Sequence, residues 1–146
     1  MKTITLLSLI LISVIIHSCS GSSGKDESSI ASGQEYNFSM TDSSGIKLAD
    51  GVLKILKYDS GLNISGTYTF TKNHVSDFPG LSTMQGNCEG KFDKAKQSVW
   101  LNMNPKIADA NVFVASSFKN FEMTGEWQYT TMKGMVNKGK FSAKLK

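Results

Sequence analysis

From residue 36 onward the chain alternates apolar and polar residues with a period of two, over four separate stretches. In "LNISGTYTF", Leu62, Ile64, Gly66, Tyr68 and Phe70 share one face, and Asn63, Ser65, Thr67 and Thr69 the other. In "MQGNCEGKF", Met84, Gly86, Cys88, Gly90 and Phe92 oppose Gln85, Asn87, Glu89 and Lys91. "FEMTGEWQY" sets Phe121, Met123, Gly125, Trp127 and Tyr129 against Glu122, Thr124, Glu126 and Gln128. "MVNKGKFSAKL" sets Met135, Gly139, Phe141, Ala143 and Leu145 against Val136, Lys138, Lys140, Ser142 and Lys144. Successive side chains of a strand point to opposite sides of its sheet. A strict period of two therefore specifies antiparallel strands with one buried and one wet face.

Three further stretches read as strands: "YNFSM", "SVWLNMN" and "NVFVASSF". A fourth, "GVLKILKY", is apolar on both faces, so the orientation of residues 52–58 stays open. Turn signals at "DSSG", "YDSGL", "DKAKQ" and "TMKGM" separate them. Residues 105–111, "PKIADAN", predict one helical turn at most. The body thus reads as an all-β domain of about eight strands joined by hairpins, an antiparallel up-and-down barrel. A two-sheet β-sandwich is the alternative.

Glycine stands two residues before an aromatic in Gly125-Glu126-Trp127 and again in Gly139-Lys140-Phe141. A three-residue loop at residues 132–134, with Gly134 in the left-handed conformation, would pair Thr131 with Met135. Trp127 then faces Gly139, and Phe141 faces Gly125. An aromatic laid across a glycine restores the contact that glycine forfeits. A four-residue turn at residues 94–97 similarly pairs Phe92 with Val99. It points Val99, Leu101 and Met103 inward and Trp100 outward, exposed or covered by the N-terminal segment or by residues 105–111.

The N-terminus has a different character. Lys2 precedes an apolar run at residues 4–16, too short for a membrane span and suited to a secretory signal. Ile16-His17-Ser18-Cys19 resembles the lipobox of bacterial lipoproteins. The resemblance implies a signal peptide over residues 1–18, and a lipidated Cys19 that anchors the protein to a membrane. An ordinary signal peptide with an incidental cysteine, or an uncleaved anchor, is the alternative. The Ser/Gly-rich stretch that follows places a flexible tether at 19–35, leaving 36–146 as the barrel domain. Ser20 stands where an aspartate would resemble an inner-membrane retention signal, so an outer-membrane lipoprotein of the cell envelope is expected. Lys25-Asp26-Glu27 is similar to the charged surface-export signals of Bacteroidota lipoproteins, or is a solvated linker cluster.

Little in the body suggests chemistry. The chain has 16 basic residues, all lysine, and a net charge of +4 that no stretch concentrates. Nucleic acid calls for a clustered basic face, so no nucleic-acid partner is expected. With no arginine, bidentate clamps on phosphate or carboxylate are missing. After residue 18 one histidine remains, His74, whose catalytic partners would be Asp77 or Cys88. There is no nucleophile elbow, phosphate loop or His/Cys metal spacing, so neither enzyme activity, metal nor cofactor is expected. With Cys19 lipidated, Cys88 has no partner for a disulfide and is expected to be buried.

Two binding readings remain. A barrel filled with side chains would act through its outer face and loops on a protein or glycan partner, with Trp100 and His74 as candidate contacts. A barrel with an open mouth would carry a small apolar ligand, contacted by Tyr68, Met103, Trp127 and Phe78, the last at the tip of the long loop at residues 71–83. A mostly filled barrel with a shallow cup is expected, since the inward residues are bulky. The Gly-x-aromatic phrases in "SGTYTF", "TGEWQY" and "KGKFSA" resemble those of calycin-like barrels, the lipocalin and avidin type. The whole is similar to small Bacteroidota lipoproteins built on that pattern. This resemblance carries over architecture and no ligand site.

Overall fold

A computed structural model describes residues 28–59, 61–76, 78, 80, 81 and 83–146. Cys19 and the signal segment lie outside the described residues, as does Asp77. Eight strands follow in chain order: β1 (Glu35–Asp42), β2 (Lys47–Tyr58), β3 (Asn63–Asn73), β4 (Gln85–Asp93), β5 (Ser98–Asn102), β6 (Asn111–Lys119), β7 (Glu122–Thr131) and β8 (Gly134–Leu145). Each pairs antiparallel with its predecessor, and β8 returns to β1, closing an up-and-down barrel rather than a sandwich. Among the described residues there is no helix. Residues 105–109 form turns instead of the expected helical turn. The Asn104 amide donates to the Ala110 carbonyl at 2.7 Å, and that of Asn111 to Ala108 at 2.9 Å. These side chains take up carbonyls that a helix would use internally.

The interior is packed with side chains, as eight strands allow. Towards one end Phe38 packs on Phe70 and Phe141, and Phe78 on Phe70 and Trp127, its ring 5.3 Å from each of the last two. Towards the other end Tyr36, Phe92 and Phe118 cluster edge to face. Both ends are stopped by chain from outside the strands. Phe78 and Leu81 of the β3–β4 loop are buried at one, and Ile30 is buried where the chain enters the barrel. The stretch expected to be tether therefore ends earlier than residue 35. Gly33 N–H donates to Ile55 C=O at 2.7 Å, Ile55 N–H to Gln34 C=O at 2.9 Å, and Tyr58 N–H to Ser32 Oγ at 3.0 Å. Burial of Ile30 and these bonds repay the ordering of residues 28–34.

The closing hairpin keeps the expected core register by another route. Trp127 pairs with Gly139, and Gly125 with Phe141. The loop, however, leaves only Met132 and Lys133 unpaired, with Thr131 opposite Gly134 at φ 104°. A bulge between Tyr129 and Thr130, in which Val136 is the extra residue, restores the pairing. An extra residue shifts every side chain before it to the other face. Met135 therefore points outward, against expectation, and is 55% exposed. Bulges also settle β2. Leu56 is the extra residue between Ile55 and Lys57, so Leu53 and Ile55 face the core and Leu56 faces out.

Three other residues expected to face inward are exposed: Leu62, Met84 and Phe121. Leu62 and Phe121 have left-handed backbones, at φ 65° and 59°, which take them out of the strand alternation. Met84 precedes the first residue of β4 and, although its carbonyl accepts the Phe70 N–H at 2.7 Å, its side chain stays exposed at the strand end. The outward strand positions are dominated by Lys, Glu, Asn, Gln, Ser and Thr, the inverse of a membrane-spanning barrel, whose outside is apolar.

Candidate functional site

Four of the expected contact residues are part of the core. Tyr68, Phe78, Met103 and Trp127 are all buried. Trp127 is fixed most firmly, because its Nε1–H donates to the Thr41 carbonyl at 2.8 Å. The indole passes over Gly139 to reach it. A Cβ at Gly139 would collide with that carbonyl oxygen and stand 2.7 Å from Nε1. The glycine makes the passage, and the tryptophan satisfies a carbonyl at the β1–β2 irregularity between Met40 and Thr41. Tyr68 likewise crosses Gly86, where a Cβ would stand 2.7 Å from the ring's Cζ.

His74 and Trp100 reach the surface, at separate places. His74 opens the β3–β4 loop, with its Nε2 3.0 Å from Asp50 Oδ2. Its backbone N–H donates to Leu48 C=O at 2.8 Å. Lys47 Nζ lies 3.0 Å from the same carboxylate. Burial pushes Asp50 up, but hydrogen bonds from His74, Lys47 and Ser39, with the Lys47 charge, outweigh it and hold the carboxyl below the usual range. This cluster pins the start of the loop. Cys88, the other histidine partner considered, is buried in β4, and burial above all, then the Glu89 charge, pushes its thiol up to about 12. A thiol so protonated is not a nucleophile. Among the described residues no group of three His, Cys, Asp or Glu side chains could hold a metal ion.

Trp100 is where the outer face becomes distinctive. The turn that leads into β5 is fixed by Asp93, whose Oδ1 accepts the Lys96 N–H at 3.0 Å, and by Gln97 at φ 48°. Phe92 pairs with Val99, as the turn length predicts, so Trp100 faces out and is 44% exposed. Phe113 of β6 stacks on it, with ring centroids 5.3 Å apart and planes 27° apart. Sequence reasoning missed Phe113. The signal was present: Val112, Val114 and Phe118 alternate inward, which sends Phe113 out beside Trp100.

Trp100 is the ridge between two surface concavities. One, a groove of about 420 Å³, runs along the ends of β2, β3 and β4 and is lined by Lys57, Asp59, Asn63, Ser65, Glu89 and Lys91. The other, about 120 Å³, is bounded by Phe113, Ala115, Glu126, Gln128 and Lys138. Strand register explains the arrangement. Asn63 pairs with Lys91, Lys91 with Trp100, Trp100 with Ala115 and Ala115 with Glu126, one row across five strands. The backbone N–H of Asn63, then its side-chain amide, the Gly61 N–H and the Lys57 charge hold Asp59 below the usual carboxylate range. At the mouth, a cleft of about 370 Å³ lies between the β3–β4 loop and the strand ends, lined in part by Phe78, Leu81 and Met84.

No family model matches the chain, and no curated protein matches its sequence.

Proposed function

We propose that this chain is an outer-membrane lipoprotein of the cell envelope, held through Cys19, whose calycin-like barrel is a non-catalytic binding module acting through its outer face. The observation that carries the reading is the distribution of aromatic side chains. Tyr68, Phe78 and Trp127 fill the barrel, while Trp100 stands stacked and exposed above a polar groove. Tryptophan is among the residue types enriched at the hot spots of recognition surfaces. The lipobox at residues 16–19 supports the anchor.

Two experiments test this. Cys19→Ser is expected to release the protein from the membrane fraction or to leave the precursor uncleaved; normal processing and fractionation would remove the anchor from the proposal. A photo-cross-linking residue at position 100, in host cells, is expected to capture a macromolecule that the same residue at position 67 does not. The carrier reading has the mouth cleft beside Phe78 in its favour. Native mass spectrometry of protein from its host separates it: a retained apolar molecule would replace the outer-face reading with the carrier one.

A further inference from the structure

We infer that the Trp100 face is a platform for an uncharged oligosaccharide, which lies across the strands with one ring seated on Trp100. This inference rests on the outer-face reading and names the partner class for it.

Three observations discriminate between partners. The first is charge. The groove beside Trp100 holds two lysines, Lys57 and Lys91, and two carboxylates, Asp59 and Glu89, so its formal charge cancels. It offers no net attraction to nucleic acid, an acidic peptide or an acidic polysaccharide, which need an excess of one sign. The second is the company the tryptophan keeps. Protein–protein hot spots place an aromatic among other apolar groups, with Lys, Glu, Asp and Ser depleted. Here those depleted types, with Asn63, supply most of the groove wall, Ile64 and Gly90 completing it, and Phe113 is the one large apolar side chain stacked on the indole. Donors and acceptors ringing one exposed aromatic plane suit a sugar. A pyranose ring presents C–H bonds, slightly positive, from its face and hydroxyls from its edge. The face packs on the negative face of the indole, and the hydroxyls meet carboxylate, amide and ammonium groups.

The third observation is extent. The two concavities flank Trp100 on opposite sides, in line with the row that runs from Asn63 to Glu126. At roughly 4.8 Å between strands, the row from β3 to β7 is an arc of about 19 Å around half of the closed barrel. That arc exceeds a single sugar ring, and a chain of several follows the curve of the wall with its middle on Trp100. Ala115, small and next to Trp100 in the row, keeps the path open on the far side. Phe113 holds the indole from one face, so the ring is braced before the sugar arrives and loses little freedom on binding.

The test is affinity electrophoresis of the full-length protein in detergent, through gels containing dextran, amylopectin, mannan, xylan or xyloglucan as neutral polymers. Polygalacturonate and chondroitin sulfate serve as acidic ones. At least one neutral polymer is expected to retard the protein. Trp100→Ala is expected to weaken that retardation about tenfold or more, Trp100→Phe less, and Lys144→Ala not at all. Acrylamide quenching supplies a second readout, because Trp100 is exposed and Trp127 is fully buried. The retarding polymer is expected to protect the accessible indole, including in protein that melts like wild type. Retardation unchanged by Trp100→Ala would overturn the site, and stronger retardation by the acidic polymers would overturn the uncharged class. If no polymer retards the protein, the oligosaccharide inference falls. Cross-links from position 100 to a protein would then leave the outer-face reading standing, and their absence would remove both.

Discussion

Trp127 and Trp100 lie two strands apart on one sheet, and their surroundings are opposite. Trp127 faces in, is fully buried, and spends its indole N–H on the Thr41 carbonyl across Gly139. Trp100 faces out, between Lys91 and Ala115 in the row, and is braced only by Phe113. The difference lies first in the side of the sheet that alternation gives each ring, and then in what stands across the strand. A glycine partner leaves a space that a large ring must fill, and so commits that ring to architecture. A lysine on one side and an alanine on the other leave the ring surface unclaimed. Trp127 is thus committed to the fold by its inward side and its glycine partner, whereas Trp100 keeps an exposed surface with which to meet something else.

The largest test of that contrast is Trp127→Ala, which should cost roughly 3–5 kcal/mol, as for other buried aromatics cut to alanine. Denaturant unfolding would measure it, and a loss no greater than that of Trp100→Ala would end the distinction. Gly139→Val comes next. Overpacking costs on the order of 1–3 kcal/mol, and here the obstacle is the Thr41 backbone, which cannot swing aside. Intrinsic strand preference favours valine at this site, so a neutral or stabilised variant would show that the passage over Gly139 is dispensable.

Charges on the outer face should matter less. Asp50, held below its ordinary range by His74, Lys47 and Ser39, contributes stability that is present above the unfolded carboxylate value, about 4, and lost as pH falls through the folded one. Asp50→Asn should cost about 0.2–1 kcal/mol at neutral pH, as partly exposed ion pairs do. Its melting temperature should converge on wild type towards pH 3; a gap that stays constant from pH 7 to 3 would assign the effect to something other than ionisation. Trp100→Ala, which loses the stacking on Phe113, should cost about 0.5–1.5 kcal/mol, and the smallest effect is expected at Lys140→Val, within about 0.5 kcal/mol. Lys140 meets Glu126 at 2.6 Å, but both side chains are about two-thirds exposed. For Trp100→Ala a large loss would mean that the exposed indole serves the fold after all.

Much of this contrast is legible in the sequence. The alternation over residues 121–129 and the glycines at 125 and 139 place Trp127 inside and opposite Gly139. A turn of four residues places Trp100 outside. What failed were inferences that assumed unbroken ladders. Met135 points outward because the chain takes a two-residue loop and repairs the register with a bulge at Val136. Leu56 and Leu48 are extra residues of the same kind. A bulge changes which face a residue occupies without changing any residue type, so periodicity alone does not reveal it.

The candidate site divides the same way. Trp100 and Phe113 are both outward by alternation, but their 5.3 Å stacking depends on the diagonal offset between β5 and β6. Lys57, Asn63, Glu89 and Lys91 line one groove only because β2, β3 and β4 end side by side. The carrier reading sets Phe78 at the tip of a loop over an open mouth, and in the structure it packs into that end of the barrel against Phe70 and Trp127. Ile30, in a stretch expected to be a free tether, is buried where the chain enters. By itself the sequence determined strand count and the inward and outward sides of the regular strands, because these follow from period two; it also pointed to Gly139 as the partner of Trp127, through the reciprocal glycine–aromatic pattern and not through the loop length, which the structure changes. Tertiary structure alone decided how the ends are stopped and which polar residues surround Trp100. Those contacts join residues far apart in the chain, brought together only when the sheet closes.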